Sequence, residues 1–302
     1  MTPVDFSIVI TTYNRSAVVE RLLQALDAQG ERDFQVVVAI DGSTDDTEAM
    51  LARQRPGFDL KWVNTHCTGY GLALARNAGI LAADGRVVAV LDDDSFPEPG
   101  FIAAHRDSAR PGVITGGPRR PSDPADTRMM AKVERLSTLP PLTPKTIRTL
   151  DRERPDLFLI ENNISLLRED WIAMGLFSER MKIYGFIGQE FFARARFLDL
   201  SYQYNPAAAI VHHGEMEGDN GLQRAGKVRQ TRLAALLRPT LMTPRHFRAQ
   251  IAWARARADG APEVALPPWR LQAGLALPWR WLRTKAAETR RGLRDRIRRS
   301  GS

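Results

Sequence analysis

The chain has 302 residues, 43% hydrophobic and 26% charged, with 22 Gly and 19 Pro; these proportions exclude collagen-like and wholly disordered classes. Cys67 is the one cysteine, which excludes an internal disulfide, a structural zinc finger and a redox pair and points to a reducing compartment. The formal charge of +8 is unevenly spread: residues 269–302 hold ten basic and two acidic side chains, and the remainder is balanced. Met1 to Asp5 lacks the basic-then-apolar pattern of a secretory leader. No apolar stretch approaches the roughly 18–20 residues that cross a bilayer, so a cytoplasmic location is expected.

Short β-rich runs at residues 6–11, 35–40, 60–63, 86–91 and 113–115 alternate with helical patterns at 17–28 and 72–83. A further helix opens at residues 44–48, where Asp45 and Glu48 have the spacing of a capping box. This alternation predicts a mostly parallel sheet with helices on its faces. The apolar runs at 36–40 and 87–91 suit strands buried on both sides. Residues 118–155, rich in Pro, Arg, Ser and Thr, read as a long loop over a site. A second block carries strands at 158–160 and 207–211 and helices around 169–174 and 189–198. Beyond it an Arg/Ala/Leu-rich helical stretch runs to about residue 258, and Pro262, Pro267 and Pro268 mark a linker to the basic tail.

Ligands of open parallel sheets bind outside the carboxyl ends of the strands. Two apolar strands here end in carboxylates, one in Asp41 and one in Asp92-Asp93-Asp94. Three adjacent carboxylates repel, so a cation is needed to compensate them. Oxygen-only ligands suit a hard divalent ion, Mg²⁺ or Mn²⁺, of the kind that also binds substrate phosphates. Asp45 and Asp46 read as helix-start residues favoured by the helix dipole.

Four motifs then come in order: Phe6-Ser7-Ile8-Val9-Ile10-Thr11-Thr12-Tyr13-Asn14-Arg15, Asp41-Gly42-Ser43-Thr44-Asp45-Asp46-Thr47, Ala75-Arg76-Asn77-Ala78-Gly79, and Leu91-Asp92-Asp93-Asp94 with Pro97. Together they resemble a family 2 glycosyltransferase of the GT-A fold, across about the first 100 residues. The resemblance implies transfer of a sugar from a nucleoside diphosphate donor with inversion at the anomeric carbon. By position it puts Thr11 and Tyr13 beside the nucleobase, Asp41 hydrogen-bonded to it, and Arg76 near the base or diphosphate. Asp94 is the implied metal ligand, with Asp93 or Asp92 near the ribose.

The second half matches less closely. The family places a Glu-Asp pair after a Gly-rich turn, with an Arg six residues on; here Gly185-Phe186-Ile187-Gly188-Gln189-Glu190 leads to Arg196. Glu190 thus takes the general base's place, and burial under substrate is expected to raise its pKa. His212 or His213, after the last strand, stands where similar enzymes place a metal-binding His; His212 comes first. Asn162-Asn163 sit where the family lines the acceptor side, or they serve a structural turn.

The implied organisation is a nucleotide-sugar half (1–117), an acceptor and catalytic half (118–218), a helical extension (219–268) and the basic tail (269–302). In the tail Trp279, Leu282, Ala286, Leu293 and Ile297 recur at helical spacing among arginines. That pattern suits an anionic membrane surface, with disorder and nucleic-acid binding as the other readings and nucleic acid the least favoured. The expected partners are a nucleotide-sugar donor, a carbohydrate or lipid-linked acceptor and the membrane face. Two other functions fit parts of the chain. Gly69-Tyr70-Gly71 before a helix, with Asp92 about 20 residues on, is a partial dinucleotide fingerprint. A non-catalytic nucleotide-binding scaffold at the membrane is the other.

Overall fold

The structure is a computed structural model that describes residues 4–29, 31–123, 160–182, 185, 187–213 and 241–260. The expected loop beyond residue 123, the residues around the start of the expected strand at 158–160, and the basic tail lie outside those residues. Four parallel strands open the fold: β1 (Phe6–Thr12), β2 (Gln35–Ile40), β3 (Asp59–Asn64) and β4 (Val87–Asp92). Between them run α1 (Ser16–Ala28), α2 (Thr47–Arg53) and α3 (Leu72–Ala82). After β4 come β5 (Ser95–Pro97), α4 (Phe101–Ser108), β6 (Val113–Gly116) and β7 (Arg119–Pro121). The later elements are β8 (Asn163–Leu167), α5 (Arg168–Met174), α6 (Ile187–Phe197), β9 (Ser201–Tyr204), β10 (Ile210–His212) and α7 (Pro244–Ala258).

Seven strands form one sheet in the order β3-β2-β1-β4-β8-β6-β9. The first four are mutually parallel, β8 runs antiparallel between β4 and β6, and β9 is parallel to β6. Alternate side chains divide the core by face. Val9, Val37, Val88 and Val90 pack with α3, α5 and α6 through Ile80, Trp171 and Phe191. Ile8, Ile10, Val36, Val38 and Leu91 pack with α1, α2 and α4 through Leu22, Met50 and Phe101. The expectation of doubly buried strands is met because both faces carry helices.

Two expectations change. Helix α2 begins at Thr47, within the expected opening at 44–48, and its N-cap is Asp46, whose side chain makes no cap bond. The Asp45 carboxylate instead accepts the Thr47 N–H and hydroxyl and the Ser16 N–H, while Glu48 accepts from Asn64, so no capping box forms. The break after residue 117 starts with a strand, β7, rather than with loop. Strand β8 runs at Asn163–Leu167, and Ile160, the last residue of the strand expected at 158–160, lies in the connection before it.

A small second sheet, β5-β10-β7, begins just past the end of β4 with β5. Its register sets His212 opposite Ser95 and Pro121, so β10 delivers its last residue to the segment following Asp94.

Candidate active site

The parallel register sets Thr11 beside Asp92, and the Asp41 N–H donates to Thr12 O at 2.9 Å. The carboxyl ends of β1, β2 and β4 therefore bring Tyr13, Asp41 and the Asp triplet to one edge, as the strand pattern requires.

Each acidic side chain of the triplet has its own surroundings. Asp92 is the most open: it accepts from Arg76 Nη2 at 2.7 Å, Asn162 Nδ2 at 2.9 Å and the Thr11 hydroxyl at 3.3 Å. Asp93 is buried and accepts from the Thr12 hydroxyl at 2.7 Å and Arg15 Nη1 at 2.5 Å. Burial pushes its carboxyl up to about 7 against the pull of Arg15 and Thr12. Asp94 Oδ2 lies 3.5 Å from His212 Nε2 and 3.5 Å from Arg15 Nη1. Burial works to raise the Asp94 carboxyl, and His212 and Arg15 outweigh it, holding the group below its ordinary value. Asp93 is thus an internal anchor, Asp92 is half-buried, and Asp94 is buried beside His212 and Arg15.

Of the two histidines it is His212 that approaches Asp94. The His213 ring packs edge-on against Phe96 at 4.8 Å, and its backbone N–H donates to Asp94 O at 2.9 Å. Among the described residues no three His, Cys, Asp or Glu side chains form a closed metal cage. An ionised carboxylate and an imidazole on one side fit a hard divalent ion that takes its other oxygens from a diphosphate and water.

At the other end of this edge Asp41 is buried, and its Oδ2 accepts the Gly71 N–H at 3.0 Å. Its Oδ1 is buried with no hydrogen-bond partner. Burial raises the carboxyl to about 6, with the Gly71 bond pulling the other way. A Cβ at residue 71 would sit 2.2 Å from that free oxygen and 2.6 Å from Cys67 Sγ, so glycine there keeps the recess open. The Gly71 N–H, one of the donors that a dinucleotide fingerprint would aim at phosphate, is committed to Asp41.

Arg76 is a buried cation, 1% exposed as a side chain, stacked 5.1 Å over the Phe177 ring. Its Nη2 holds Asp92, its Nη1 lies 3.7 Å from Glu161, and its Nε and Nη1 have no hydrogen-bond partner. Tyr13, 37% exposed, stands at the end of β1. Thr11 is turned to β4, where its hydroxyl serves Asp92 and Leu91 O rather than Asp41. Asn162 joins the site through Asp92. Asn163 is structural: its Nδ2 donates to Pro118 O and Ala208 O, and its Oδ1 meets His105.

Glu190 requires a correction. It is 1% exposed, and both of its oxygens accept from Arg194, at 2.9 and 3.0 Å. His246 Nε2 lies 3.4 Å away. Burial alone would raise this carboxyl, but Arg194 and His246 outweigh it and hold it below its ordinary value, opposite to the expected rise. The partner is the Arg four residues on, one helical turn away, rather than Arg196. The sequence reading passed over Arg15, Glu161, Arg194 and His246. Arg15 ends the Thr12-Tyr13-Asn14 run that drew attention to β1.

Residues 7–171 match the family model for glycosyl transferase family 2. The chain belongs to glycosyltransferase family 2. Validoxylamine A glucosyltransferase of Streptomyces hygroscopicus subsp. limoneus is 37% identical over 116 residues, 36% of this chain and 26% of that protein. The chain thus spans about a quarter of that relative's length. Among solved structures, the mannosyltransferase PcManGT from Pyrobaculum calidifontis, in complex with GDP-Man and Mn²⁺, superposes with a TM-score of 0.55 at 22% identity. That match covers 93% of this chain and 79% of the other. TarS of S. aureus (residues 1–349), in complex with UDP-GlcNAc, gives 0.56 at 18% identity over 84% of this chain and 72% of the other. The GT-A-like α/β fold, with its sheet flanked by helices, is common to all three. Membership of the family supports an enzyme, a glycosyltransferase, over the oxidoreductase and scaffold readings.

Proposed function

We propose that the protein transfers a sugar, with inversion, from a nucleoside diphosphate donor to a hydroxyl of a lipid-linked or cell-envelope acceptor. The single observation that carries this reading is the edge shared by β1, β2 and β4. It sets a partnerless buried Asp41 oxygen at one end and the Asp94–His212 pair at the other, with Arg76–Asp92 beside them. Asp41 Oδ1 would accept an N–H of the nucleobase, with Tyr13 beside the ring. Asp92 would hold the ribose or diphosphate end, oriented by Arg76 and Asn162, and buried Asp93 would fix the segment that carries both neighbours.

A divalent ion between Asp94 and His212, Mn²⁺ or Mg²⁺, would neutralise the charge of the leaving diphosphate. Residues 1–117 would supply the nucleotide-sugar half and 118–218 the acceptor half. The tail at 269–302, beyond the extension at 219–268, would rest on the anionic cytoplasmic face of the membrane. Among the described residues no helix is long and apolar enough to cross a bilayer. Its tryptophans and arginines suit the headgroup layer.

The test is a panel of UDP- and GDP-sugars, each with and without Mn²⁺, scored for release of the nucleoside diphosphate. Metal-dependent release from one donor class is the expected result. Release from none of them, together with no thermal shift by any nucleotide, overturns the reading.

A further inference from the structure

A group that deprotonates an acceptor needs a free lone pair, access to the cleft and a place beside the leaving group. The carboxylates of the described site can be sorted on those three counts. Glu190 is sealed by Arg194. Asp93 is held by Thr12 and Arg15, and Asp94 faces His212 and Arg15. Asp92 already accepts three hydrogen bonds. Glu179 accepts from Asn77 and Arg257, and Asp41 sits at the nucleobase end.

Glu161 remains. Its side chain is 29% exposed, and among the described residues its charged neighbour is Arg76 Nη1 at 3.7 Å, beyond hydrogen-bond distance. Two contacts hold it in place. Asn162, the next residue, donates to Asp92, and Arg76 spans Asp92 and Glu161, so this carboxylate is tied to the diphosphate end. The first turn of α6 makes room for it: a Cβ at Gly188 would meet Glu161 Oε2 at 2.3 Å and Cδ at 2.6 Å. Glycine at the head of α6 thus seats the Glu161 carboxylate, while the carboxylate of α6 itself, Glu190, points into the core.

We infer that Glu161, in the connection leading to β8, is the catalytic base of the transfer, an assignment that rests on the reading of the site as a sugar-transfer centre. The proton of the acceptor hydroxyl passes to a Glu161 oxygen as the acceptor oxygen bonds the anomeric carbon. The bond from that carbon to the diphosphate breaks, and its electron pair departs on the nucleoside diphosphate. Arg76 is the positioning residue that keeps the base and Asp92 in one register.

The test uses the full-length chain and whichever sugar nucleotide of the panel it turns over, with water as the acceptor and sodium azide as a second nucleophile that needs no deprotonation. Glu161→Gln is expected to lower hydrolysis by about 10²–10⁴-fold, the range of general-base catalysis. The donor KM should stay within about twofold, because this group acts in the transition state and not in donor binding. Azide should restore turnover in that variant as the glycosyl azide, which no loss of structure can mimic, and Glu161→Asp should keep part of the activity. Hydrolysis at the parental rate in Glu161→Gln overturns the assignment, as does failure of azide to restore turnover at an unchanged donor KM. A parental protein that turns over no donor removes the sugar-transfer reading and the assignment with it.

Discussion

Arg194 grips Glu190 through both carboxylate oxygens, at 2.9 and 3.0 Å, while its remaining donors reach Met174 O and Leu176 O. The pair therefore fastens α6 to the end of α5, and both side chains are buried. His246 reaches the same carboxylate from α7, whose start is fixed by Pro244 and by the Thr243 hydroxyl accepting the His246 N–H at 3.2 Å. Removing the charge from Glu190 strands a buried guanidinium, a loss of about 3–5 kcal/mol. At the 2–4 °C per kcal/mol typical of a domain this size, Glu190→Gln should lower the thermal midpoint by ~6–20 °C. Differential scanning calorimetry measures it. A midpoint within a degree of the parent would show that the pair contributes nothing.

The same pair sets an acid limb. Because the Glu190 carboxyl is held below its ordinary value, the unfolded chain takes up the proton before the native one does. Its stabilisation is complete above the ordinary carboxylate range and is lost as pH falls through the depressed value. Urea titrations between about pH 6 and pH 3 should therefore show a shallower acid-side loss in Glu190→Gln than in the parent.

The parallel half of the sheet was legible because strands buried on both faces read as unbroken apolar runs, as in 36–40 and 87–91. Strand β8 was not, since Asn163 and Ser165 put polar side chains in a fully buried strand. Only the fold reveals His105, which satisfies both of them at 3.2 and 2.8 Å. The Asp triplet was legible as an acidic site from position alone. The division of labour within it was not, because it depends on Arg15 and Arg76 arriving from other elements. For Glu190, spacing predicted a carboxylate at the head of a helix, but which way a helix faces is set by tertiary packing. Here the core cluster of Trp171, Phe177 and Phe191 turns that face inward.

On the proposed reading, Asp41 gives nucleobase binding its own pH dependence. Below its pKa of about 6 the carboxyl carries a proton, and its free oxygen becomes a weaker acceptor for a base N–H. The difference between a charge-assisted and a neutral hydrogen bond is about 1 kcal/mol, or roughly fivefold in affinity. Uridine and guanosine, which lack phosphates and need no metal, isolate this contact. Their affinity by calorimetry should fall about fivefold from pH 8 to pH 5 with a midpoint near 6, and Asp41→Asn should give a weak, flat profile. A parental profile as flat as the variant's would remove Asp41 as the reader of the base.

His212 and His213 should separate cleanly. Losing a ligand is expected to cost at least as much as losing an outer-shell partner, so His212→Ala should raise the Mn²⁺ needed for half-maximal donor turnover by about tenfold or more. His213→Ala removes a ring that packs on Phe96 and leaves the backbone bond to Asp94 in place, so its Mn²⁺ requirement should match the parent's. Manganese titrations of both variants decide it. Equal requirements in His212→Ala and the parent would take the imidazole out of the metal's coordination.

The charge of +8 belongs to the last 34 residues, and the remainder is balanced, so electrostatic attraction to an anionic surface should be severable from chemistry. Each Lys or Arg near such a surface contributes about 1 kcal/mol, and several together suffice for reversible docking. The contribution is screened by salt over a Debye length of about 8 Å at physiological ionic strength. The full chain should therefore float with vesicles containing phosphatidylglycerol, bind phosphatidylcholine vesicles far less, and be released as salt is raised. A chain ending at residue 268 should remain in the soluble fraction in every case while still hydrolysing its donor, because the Asp41, Asp92, Asp94 and Glu161 edge lies entirely upstream. Equal flotation of the two chains would place the membrane contact in the balanced body and leave the basic segment without that role.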